Sequence, residues 1–445
     1  MAIANMGRNK RSTVTVIAAI SFSIGLLALI ITAVSSFSPD QYLKQRIAGD
    51  YLLGHINIIS SPRDGEVAID PAYLALADAQ EGIESRSEMW VCYGSRLLVD
   101  EKAREQYRKL DAEGKLKRTV YDEGLPDRLL GGEEDNMGGF FYGYSEELLQ
   151  NLKVLEGTLD MEKFMSGNYI LLDTLRGEEQ LSARDHVYHP GDKVMVEHIA
   201  EDSTFYEVKN EAGETVSIRY ENMASKEYEV MAIVEIPFSM NLHRYTRNGC
   251  DVILPLQEIT ERGELFAVSY QVKDGYQKAF ESAVREYSDA YPKMGYASKE
   301  SVRKEFESMM TVVAVLGITL CAVIALIGIL NFINAMVTEI ISGKREFAML
   351  QSIGMTDEQL KKMLIWEGIS YVGISGMIAL LVGAPLSWIV LKAVNQVVLF
   401  FEYHFRFLPF VIMLPELAVV AVLTPVLAYR NMKKKSIVER LREAG

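Results

Sequence analysis

The chain has 445 residues, of which 49% are hydrophobic and 24% are charged, and its formal net charge is −14. This composition excludes a disordered chain, and it also excludes a chain embedded entirely in lipid. The acidic excess excludes a basic nucleic-acid surface, because such a surface needs clustered lysine and arginine. Apolar and charged residues must therefore be segregated along the sequence.

Four apolar runs exceed the ~18 residues that make a membrane-spanning helix the expected structure. They are residues 12–39, 308–338, 368–391 and 407–429, and the last is interrupted by Glu416. We therefore predict an α-helical membrane protein with four transmembrane helices and a large α+β extracytoplasmic domain inserted between helices one and two. The second run would extend about 46 Å as a helix, which exceeds the ~30 Å hydrocarbon core.

The positions of lysine and arginine predict the orientation in the membrane. Arg8, Lys10 and Arg11 precede the first apolar run, and Arg430 and residues 433–435 follow the last one. Basic residues beside short membrane ends mark the cytoplasmic side, so both termini are predicted to be cytoplasmic. A cleaved signal peptide is the alternative for the N-terminus, but the first run is longer than the ~7–15-residue core of such a peptide.

The same pattern predicts three domains in a multi-pass protein of the cytoplasmic membrane. Residues 1–39 hold the N-terminus and the first helix, residues 40–307 form the extracytoplasmic domain, and residues 308–445 hold the other three helices. Residues 38–337 carry a net charge of −20. The long acidic block is therefore the exported part of the chain.

Periodicity predicts mixed secondary structure in the exported domain. Alternation predicts strands at 56–59, 90–93, 97–99 and 228–234, and helical spacing predicts helices that open near Ser145 and Gly275. The charged and glycine-rich stretch 102–138 is predicted to be a surface insertion.

Three cysteines and two neighbouring histidines give weak signals. Cys321 lies in the second apolar run and is expected to be a packing residue. Cys92 and Cys250 both fall in the exported domain, where a disulfide or two free thiols are both compatible with the sequence. His186 and His189 lie in a predicted loop, and no metal site is predicted there.

Small residues recur at four-residue spacing in two apolar runs. Ser21 pairs with Gly25, and Ala379 pairs with Gly383. Such spacing lets helix backbones approach closely in lipid. The two pairs either pack the four helices of one chain together or form the face of a dimer.

The segment between the second and third apolar runs is predicted to contain a short amphipathic helix. Phe347, Leu350 and Ile353 are expected on one helical face, and Gly354 is expected to end the helix. A helix of this kind at the cytoplasmic surface either lies on lipid or docks a cytoplasmic partner.

A second helix is predicted to begin immediately after this one. Thr356 followed by Gln359 has the form of a capping box, and Asp357 and Glu358 lie at the positive end of the new helix. This helix would run into the third apolar run.

The first of these helices resembles a known family signature, R-x-E-φ-φ-φ-L-x-φ-G-φ…E, where φ is an apolar or small residue. It is the signature of the FtsX-like (MacB-type) ABC transporter permeases. The residues that carry the resemblance are, in order, Arg345, Glu346, Phe347, Ala348, Met349, Leu350, Gln351, Ser352, Ile353, Gly354 and Met355, followed by Glu367. The family more often has one residue between the basic and acidic positions, which Lys344 would satisfy. The layout of one span, a large outside domain and three further spans is also similar to the family.

The resemblance implies the membrane subunit of a type VII ABC system, with a MacB-like domain at 40–307 and an FtsX-like permease domain at 308–445. It implies that residues 344–355, here called the coupling segment, dock a separate ABC ATPase. That partner would bind ATP and magnesium, so the resemblance implies no cofactor and no catalytic residue in this chain. Glu367 would help orient the coupling segment, although a solvated carboxylate at a helix end is the alternative.

The resemblance also implies partners and a transport function. It implies a second copy of the chain or a paralogous permease, the lipid bilayer, and an extracytoplasmic adaptor or peptide ligand. ATP hydrolysis inside would be transmitted mechanically to the outside domain, and this motion would export or extract peptides, antibiotics or lipid-linked molecules. A regulator of cell-wall hydrolases, a ligand sensor without transport, and one half of a longer ten-span permease are the alternatives.

The sequence contains no Walker A loop, no H-E-x-x-H motif and no G-x-S-x-G motif. At Gly343-Lys344, Thr338 stands where the first glycine of a Walker A loop should be, and Arg345 stands where serine or threonine should follow. Glu416 is the one ionisable residue deep in an apolar run, at a burial cost of ~2–3 kcal/mol. It either handles a proton or substrate, or it faces the helix bundle or water.

Overall fold

The computed structural model describes residues 10–59, 67–116, 124–136, 138–173, 185–200, 203–209, 215–242, 249–398 and 400–432. The chain divides into two compact units, one formed by residues 1–38 with 306–445 and the other by residues 39–305. The basic tail beyond residue 432 and the basic Arg8 lie outside the described residues.

The described helices and strands alternate along most of the chain. The helices are α1 (Lys10–Ser35), α2 (Pro39–Arg46), α3 (Ile56–Ile59), α4 (Pro71–Asp78), α5 (Glu101–Ala112), α6 (Leu125–Gly131), α7 (Glu146–Gln150), α8 (Met161–Lys163), α9 (Leu256–Thr260), α10 (Gln277–Ala290), α11 (Lys299–Ser342), α12 (Lys344–Ser352), α13 (Asp357–Ile378), α14 (Ala384–Val397) and α15 (Leu408–Met432). The strands are β1 (Tyr51–His55), β2 (Ile83–Cys92), β3 (Arg96–Leu97), β4 (Phe141–Tyr144), β5 (Lys153–Gly157), β6 (Tyr169–Asp173), β7 (Lys193–Ile199), β8 (Phe205–Lys209), β9 (Thr215–Tyr220), β10 (Met223–Glu235), β11 (Val252–Ile253), β12 (Glu264–Val272) and β13 (Met294–Ser298).

Four stretches of helix in the described residues are long and apolar enough to cross a membrane. They are Thr13–Ser35, Lys299–Ser342, Asp357–Val394 and Leu408–Arg430. Helix α11 has 44 residues and is about 66 Å long at ~1.5 Å per residue. It is longer than the charge-free run predicted, because the charged residues that precede the run are also helical.

The unit formed by residues 1–38 with 306–445 is called the helical unit here. It brings the two small-residue pairs of the sequence together inside one chain. A Cβ atom added at Gly383 would lie 3.4 Å from the Cα atom of Gly25. One turn away, the Ser21 hydroxyl donates to the carbonyl of Ser375 at 3.1 Å. These small residues therefore pack α1 against the third apolar stretch, as the intramolecular alternative predicted.

Residues 39–305 form the other unit, called the sheet unit here. It is built on a mixed sheet of eleven strands with the order β13-β1-β12-β2-β4-β11-β6-β10-β7-β3, and β5 also pairs with β10. The pairs β10–β6 and β11–β4 are parallel, and the other pairs along this order are antiparallel. Strands β8 and β9 form a separate antiparallel pair. Helices α4 and α10 contribute Tyr73, Phe280 and Val284 to one core cluster with β1, β12 and β13.

Several sequence predictions for this unit are confirmed, and two are wrong. Helices α7 and α10 open where periodicity placed them, and strands β2, β3 and β10 overlap the predicted strands without sharing their bounds. Residues 56–59 form helix α3 instead of a strand, because four residues are too few to separate the two periods and β1 already ends at His55.

The stretch 102–138 is not a surface insertion. Its helix α5 has charged residues on one face, but Tyr107 and Leu110 on the other face are 1% and 0% exposed. Leu129 of α6 joins them in the same core cluster. The high charge of the stretch concealed an amphipathic helix that packs inward.

Candidate functional site

Helix α12 begins and ends at glycines that its packing requires. A Cβ atom at Gly343 would lie 2.7 Å from the Phe347 ring, so only glycine lets this ring lie against the backbone. Gly354 has a φ of 108°, in the left-handed region. The N–H of Met355 donates to the Leu350 carbonyl at 3.0 Å, which closes the helix end. The helix therefore ends at the glycine that the sequence indicated.

The two sides of the coupling segment have opposite environments. Phe347 and Ala348 are 1% and 0% exposed, whereas Met349 and Ile353 are 47% and 84% exposed. Leu350 is half-buried. Phe347 packs in a cluster with Ile340, Leu360, Leu364 and Tyr429.

The sequence predicted Phe347, Leu350 and Ile353 on one face of the helix. This prediction is wrong for Phe347 and Ile353, which do not share a face. At 3.6 residues per turn, Phe347 and Ile353 point about 120° apart around the helix axis. Met349 and Ile353 are four residues apart and differ by only about 40°. The exposed apolar face of the coupling segment therefore consists of Met349 and Ile353.

The charged pair that begins the family signature is described only in part. The backbone of Arg345 is helical, but its side chain lies outside the described part of the structure. Glu346 is in the first turn of α12 and is half-buried. An acidic side chain at this end of a helix interacts favourably with the helix dipole.

A polar network that the sequence did not reveal fixes the end of α12 to α13 and α15. The side-chain amide of Gln351 donates to Asp357 Oδ1 at 2.7 Å and to the Tyr429 hydroxyl at 2.9 Å. The Tyr429 hydroxyl donates to the same Asp357 oxygen at 2.6 Å. Gln351 and Tyr429 are far apart in the chain, so no local pattern could have joined them.

The predicted capping box at the start of α13 is confirmed. Thr356 Oγ1 accepts from the Gln359 N–H at 3.3 Å, and Gln359 Oε1 accepts from the Thr356 N–H at 2.9 Å. Two backbone N–H groups at the helix start are thereby satisfied. The turn between α12 and α13 is thus held at both ends.

Glu367 is fully buried in a hydrogen-bonded network and is not a solvated helix-end carboxylate. Its exposed fraction is 0%, and a side-chain hydrogen bond joins it to Glu339 of α11. The Tyr371 hydroxyl donates to Glu339 Oε1 at 3.2 Å and lies 3.2 Å from Thr13 Oγ1 of α1. The two carboxyl groups and the Tyr371 hydroxyl therefore form one polar cluster among the helices.

This network joins three helices of the helical unit, and the sequence analysis identified only Glu367 among its four members. Tyr371 follows Glu367 by four residues, so the helical period alone places both on the same face. Glu339 is the acidic residue at the far end of the preceding span. Pairing it with Glu367 needed the packing of α11 against α13, which periodicity does not show.

Glu416 lies in a different setting within the same unit. It lines an otherwise apolar cleft of about 470 Å³ between α1, α11 and α15, and Cys321 lies in the same wall. In the described residues no cation or hydrogen-bond donor contacts its carboxylate. Cys321 is buried with a free thiol, as expected for a packing residue.

The other chemistry-bearing residues lie in the sheet unit. Cys92 and Cys250 are both buried with free thiols, so the disulfide that the sequence left open is not formed in the structure. Burial raises the pKa of the Cys250 thiol to about 12. Nδ1 of His186 and Nδ1 of His189 each lie 3.1 Å from an oxygen of Glu156.

A metal site does not follow from this histidine pair. Across the described part of the chain, no group of three or more histidine, cysteine, aspartate or glutamate side chains could hold a metal ion. Glu156 instead serves as a shared hydrogen-bond acceptor for both rings.

Two solved structures are similar to part of the chain. The periplasmic region of MacB from Actinobacillus actinomycetemcomitans is 12% identical, with a TM-score of 0.30, and the match covers 59% of this chain and 94% of that chain. The extracellular domain of the noncanonic ABC-type transporter YknZ from Gram-positive bacteria is 11% identical, with a TM-score of 0.26, covering 56% and 98%. Likenesses at this level carry no argument about activity or partners.

No curated protein sequence matches the chain. The family model described as FtsX-like permease C-terminal matches residues 318–437, which include most of α11, the whole coupling segment and the last two apolar stretches. This match agrees with the resemblance of residues 345–355 and Glu367 to the family signature. Residues 318–437 are therefore similar to the C-terminal domain of FtsX-like permeases.

Proposed function

We propose that the chain is the membrane subunit of an ABC transporter, and that it couples ATP hydrolysis by a separate cytoplasmic ATPase to a conformational change of the unit 39–305. The family match supports the permease assignment. The observation that carries the coupling step is the two-sided coupling segment, with Phe347 anchored in the core and Ile353 84% exposed.

In this proposal Met349 and Ile353 are the apolar contacts for the ATPase. An exposed isoleucine beside a rigid anchor gives a partner apolar area to bury, at roughly 25 cal/mol per Å². The polar network of Gln351, Asp357 and Tyr429 holds the segment in place, so force on its exposed face passes to α13 and α15. Glu367 and Glu339 would hold α11 in register with α13 during this motion.

The proposed orientation places both termini and the coupling segment in the cytoplasm and the acidic unit 39–305 outside. The chain would act as a dimer with itself or with a paralogous permease. From the family resemblance, the proposed cargo is a peptide, an antibiotic or a lipid-linked molecule that is exported or extracted. Single cysteines placed at Glu358 and Glu162 would test the orientation: an impermeant thiol reagent applied outside intact cells should label only the second.

The decisive experiment is co-purification from detergent with the ATPase encoded beside this chain. We expect Ile353→Asp and Met349→Asp to lower ATPase recovery at least tenfold, because a carboxylate buried in an apolar contact is costly. Lys362→Asp on α13 is the control, since it also places an aspartate at an exposed position; its charge change is two units, against one unit in the test variants. Phe347→Asp is unsuitable, because it would place a charge in the core.

ATP turnover of the complex gives a second measurement. Loss of permease-stimulated turnover in the Ile353 and Met349 variants, with unchanged turnover in the control, would support docking at this face. Equal recovery of the ATPase with all forms would refute it. The segment would then be a helix that lies on lipid, as in a sensor that does not transport.

A further inference from the structure

A polar cavity in the unit 39–305 is separate from the coupling machinery. Its volume is about 450 Å³, which falls within the ~300–1,000 Å³ of small-molecule sites. Helix α2, strands β2 and β12, the end of β10 and helix α7 all contribute to its wall. The residues that matter below are Lys44, Glu147, Lys153, Glu235 and Ser239.

Part of the lining is already satisfied by its own hydrogen bonds. Glu235 accepts from the Gln45 side-chain amide at 3.0 Å and from Lys153 Nζ at 2.9 Å. Its side chain is only 15% exposed, so this carboxylate and its lysine form a closed pair. The charge of Glu235 is therefore already matched within the protein.

A second carboxylate, that of Glu147, is held in place by hydrogen bonds but has no cation among the described residues that neutralises its charge. Glu147 accepts from the Ser85 hydroxyl at 3.1 Å and from the Ser87 hydroxyl at 2.9 Å. Two neutral hydroxyls fix its position without cancelling its charge. Within the described ranges no lysine or arginine forms an ion pair with Glu147, and no carboxylate forms one with Lys44.

Ser239 supplies an independent sign of a missing partner. Its exposed fraction is 0%, yet its hydroxyl has no hydrogen-bond partner among the described residues. Buried polar groups nearly always have a partner, and leaving one unmade costs about 1–3 kcal/mol. The same residue lines the cavity, so a bound molecule can supply the missing hydrogen bond.

We propose that this cavity binds a small zwitterion of the amino-acid class, meaning a free amino acid or a short peptide with free termini. Glu147 binds the ammonium group, Lys44 binds the carboxylate, and Ser239 hydrogen-bonds to the part of the ligand between them. The lining carries two lysines and two glutamates and is therefore neutral, although the surrounding block 38–337 has a net charge of −20. A ligand with only one sign of charge would leave either Glu147 or Lys44 unmatched.

This inference goes beyond the proposed function and does not depend on it. Calorimetric titration of the purified full-length chain in detergent, without any ATPase, tests it directly. The probe is trialanine with free termini, compared with N-acetyl-trialanine and with trialanine amide. Glycerophosphoethanolamine is a further arm, since a lipid headgroup also carries an ammonium and an anion.

We expect trialanine to bind, and each blocked form to bind about fivefold more weakly, because exposed ion pairs contribute up to about 1 kcal/mol. In Glu147→Gln the effect of acetylation should disappear, and in Lys44→Gln the effect of amidation should disappear, since each variant removes the group that reads that terminus. Ser239→Ala should weaken binding about fivefold without loss of folding, because it removes no hydrogen bond within the protein. Glu162→Gln and Lys278→Gln, both exposed and outside the cavity, should bind as the wild type does.

Three results would overturn the proposal. The first is that trialanine does not bind the wild-type chain. The second is that the blocked forms bind equally well or that the cavity variants match the controls. The third is that glycerophosphoethanolamine binds more tightly than trialanine. None of these results bears on ATPase docking, so failure here is distinguishable from failure of the proposed function.

Discussion

The two units bury ionisable side chains in different ways. In the sheet unit, His198 is 5% exposed and hydrogen-bonds to Ser95 at 2.9 Å, and burial lowers its pKa to about 4. In the helical unit, Glu367 is fully buried and hydrogen-bonds to a second carboxyl group, Glu339. The described partner of the histidine is a neutral hydroxyl, whereas the partner of the glutamate is a second carboxyl group.

This difference indicates which unit tolerates substitution of its buried ionisable residues. An imidazole that loses its charge still has a donor and an acceptor, so neutral neighbours can satisfy it. A carboxyl pair depends on both members, because removing one leaves the other buried without its partner. We therefore expect the helical unit to be the more sensitive one at its ionisable core.

The largest effect is expected from Glu367→Ala, which strands Glu339 and should lower the free energy of unfolding by about 3 kcal/mol. Glu367→Gln should cost less than about 1 kcal/mol, because its amide can donate to Glu339. Thermal unfolding of the chain in detergent measures both, with the exposed Glu358→Gln as control. Equal losses for the Ala and Gln variants would contradict a hydrogen bond between Glu367 and Glu339.

Tyr371→Phe tests the same network from its third member. It removes the hydroxyl that contacts Glu339 and Thr13, so we expect a loss of about 1.5 kcal/mol. Tyr403→Phe is the matched control, since its hydroxyl has one partner, Ser387, at 3.2 Å. If Tyr403→Phe lowered the free energy of unfolding as much as Tyr371→Phe does, the network would contribute no more than a single hydrogen bond elsewhere.

The buried histidine predicts an acid-sensitive sheet unit. Below pH ~6.5 the unfolded chain takes up a proton that folded His198 takes up only near its pKa of about 4, so stability falls as the pH drops through this window. From this one histidine we expect the free energy of unfolding to fall by about 1–2 kcal/mol between pH 7 and pH 5. His198→Asn should reduce the difference in unfolding midpoint between these two pH values. An unchanged difference would mean that other groups cause it.

The smallest effect is expected at Glu416, which lines the open apolar cleft and has no partner among the described residues. Glu416→Gln should change the free energy of unfolding by less than about 0.5 kcal/mol, as is usual for exposed positions. The same thermal assay applies. A loss as large as that of Glu367→Ala would show that the two carboxylates are equally structural and would remove the contrast between them.

Local features of the coupling segment followed from the sequence, and long-range features did not. Gly354 and the pair Thr356 and Gln359 end one helix and begin the next through contacts within a few residues, so their pattern could be recognised. The burial of Phe347 depends on Tyr429 of α15, and no local period contains that contact.

The same division holds in the sheet unit. The long amphipathic helix α10 was identified from its apolar spacing. Helix α5 was misread because its charged face dominates the composition, and α3 was misread because four residues fit two periods. Ser239 and its cavity could not be predicted at all, since an unpartnered hydroxyl is visible only when its surroundings are known.

The meeting of Gly25 and Gly383 has a consequence for how the helices can move. Interlocked side chains resist sliding, because they must unpack before they can pass one another. Where two glycines touch, neither helix has a side chain that must unpack before the helices can move. We expect α1 to rotate about this contact at a low energetic cost. The position where the two backbones lie closest is therefore also the position about which the helices can most easily reorient.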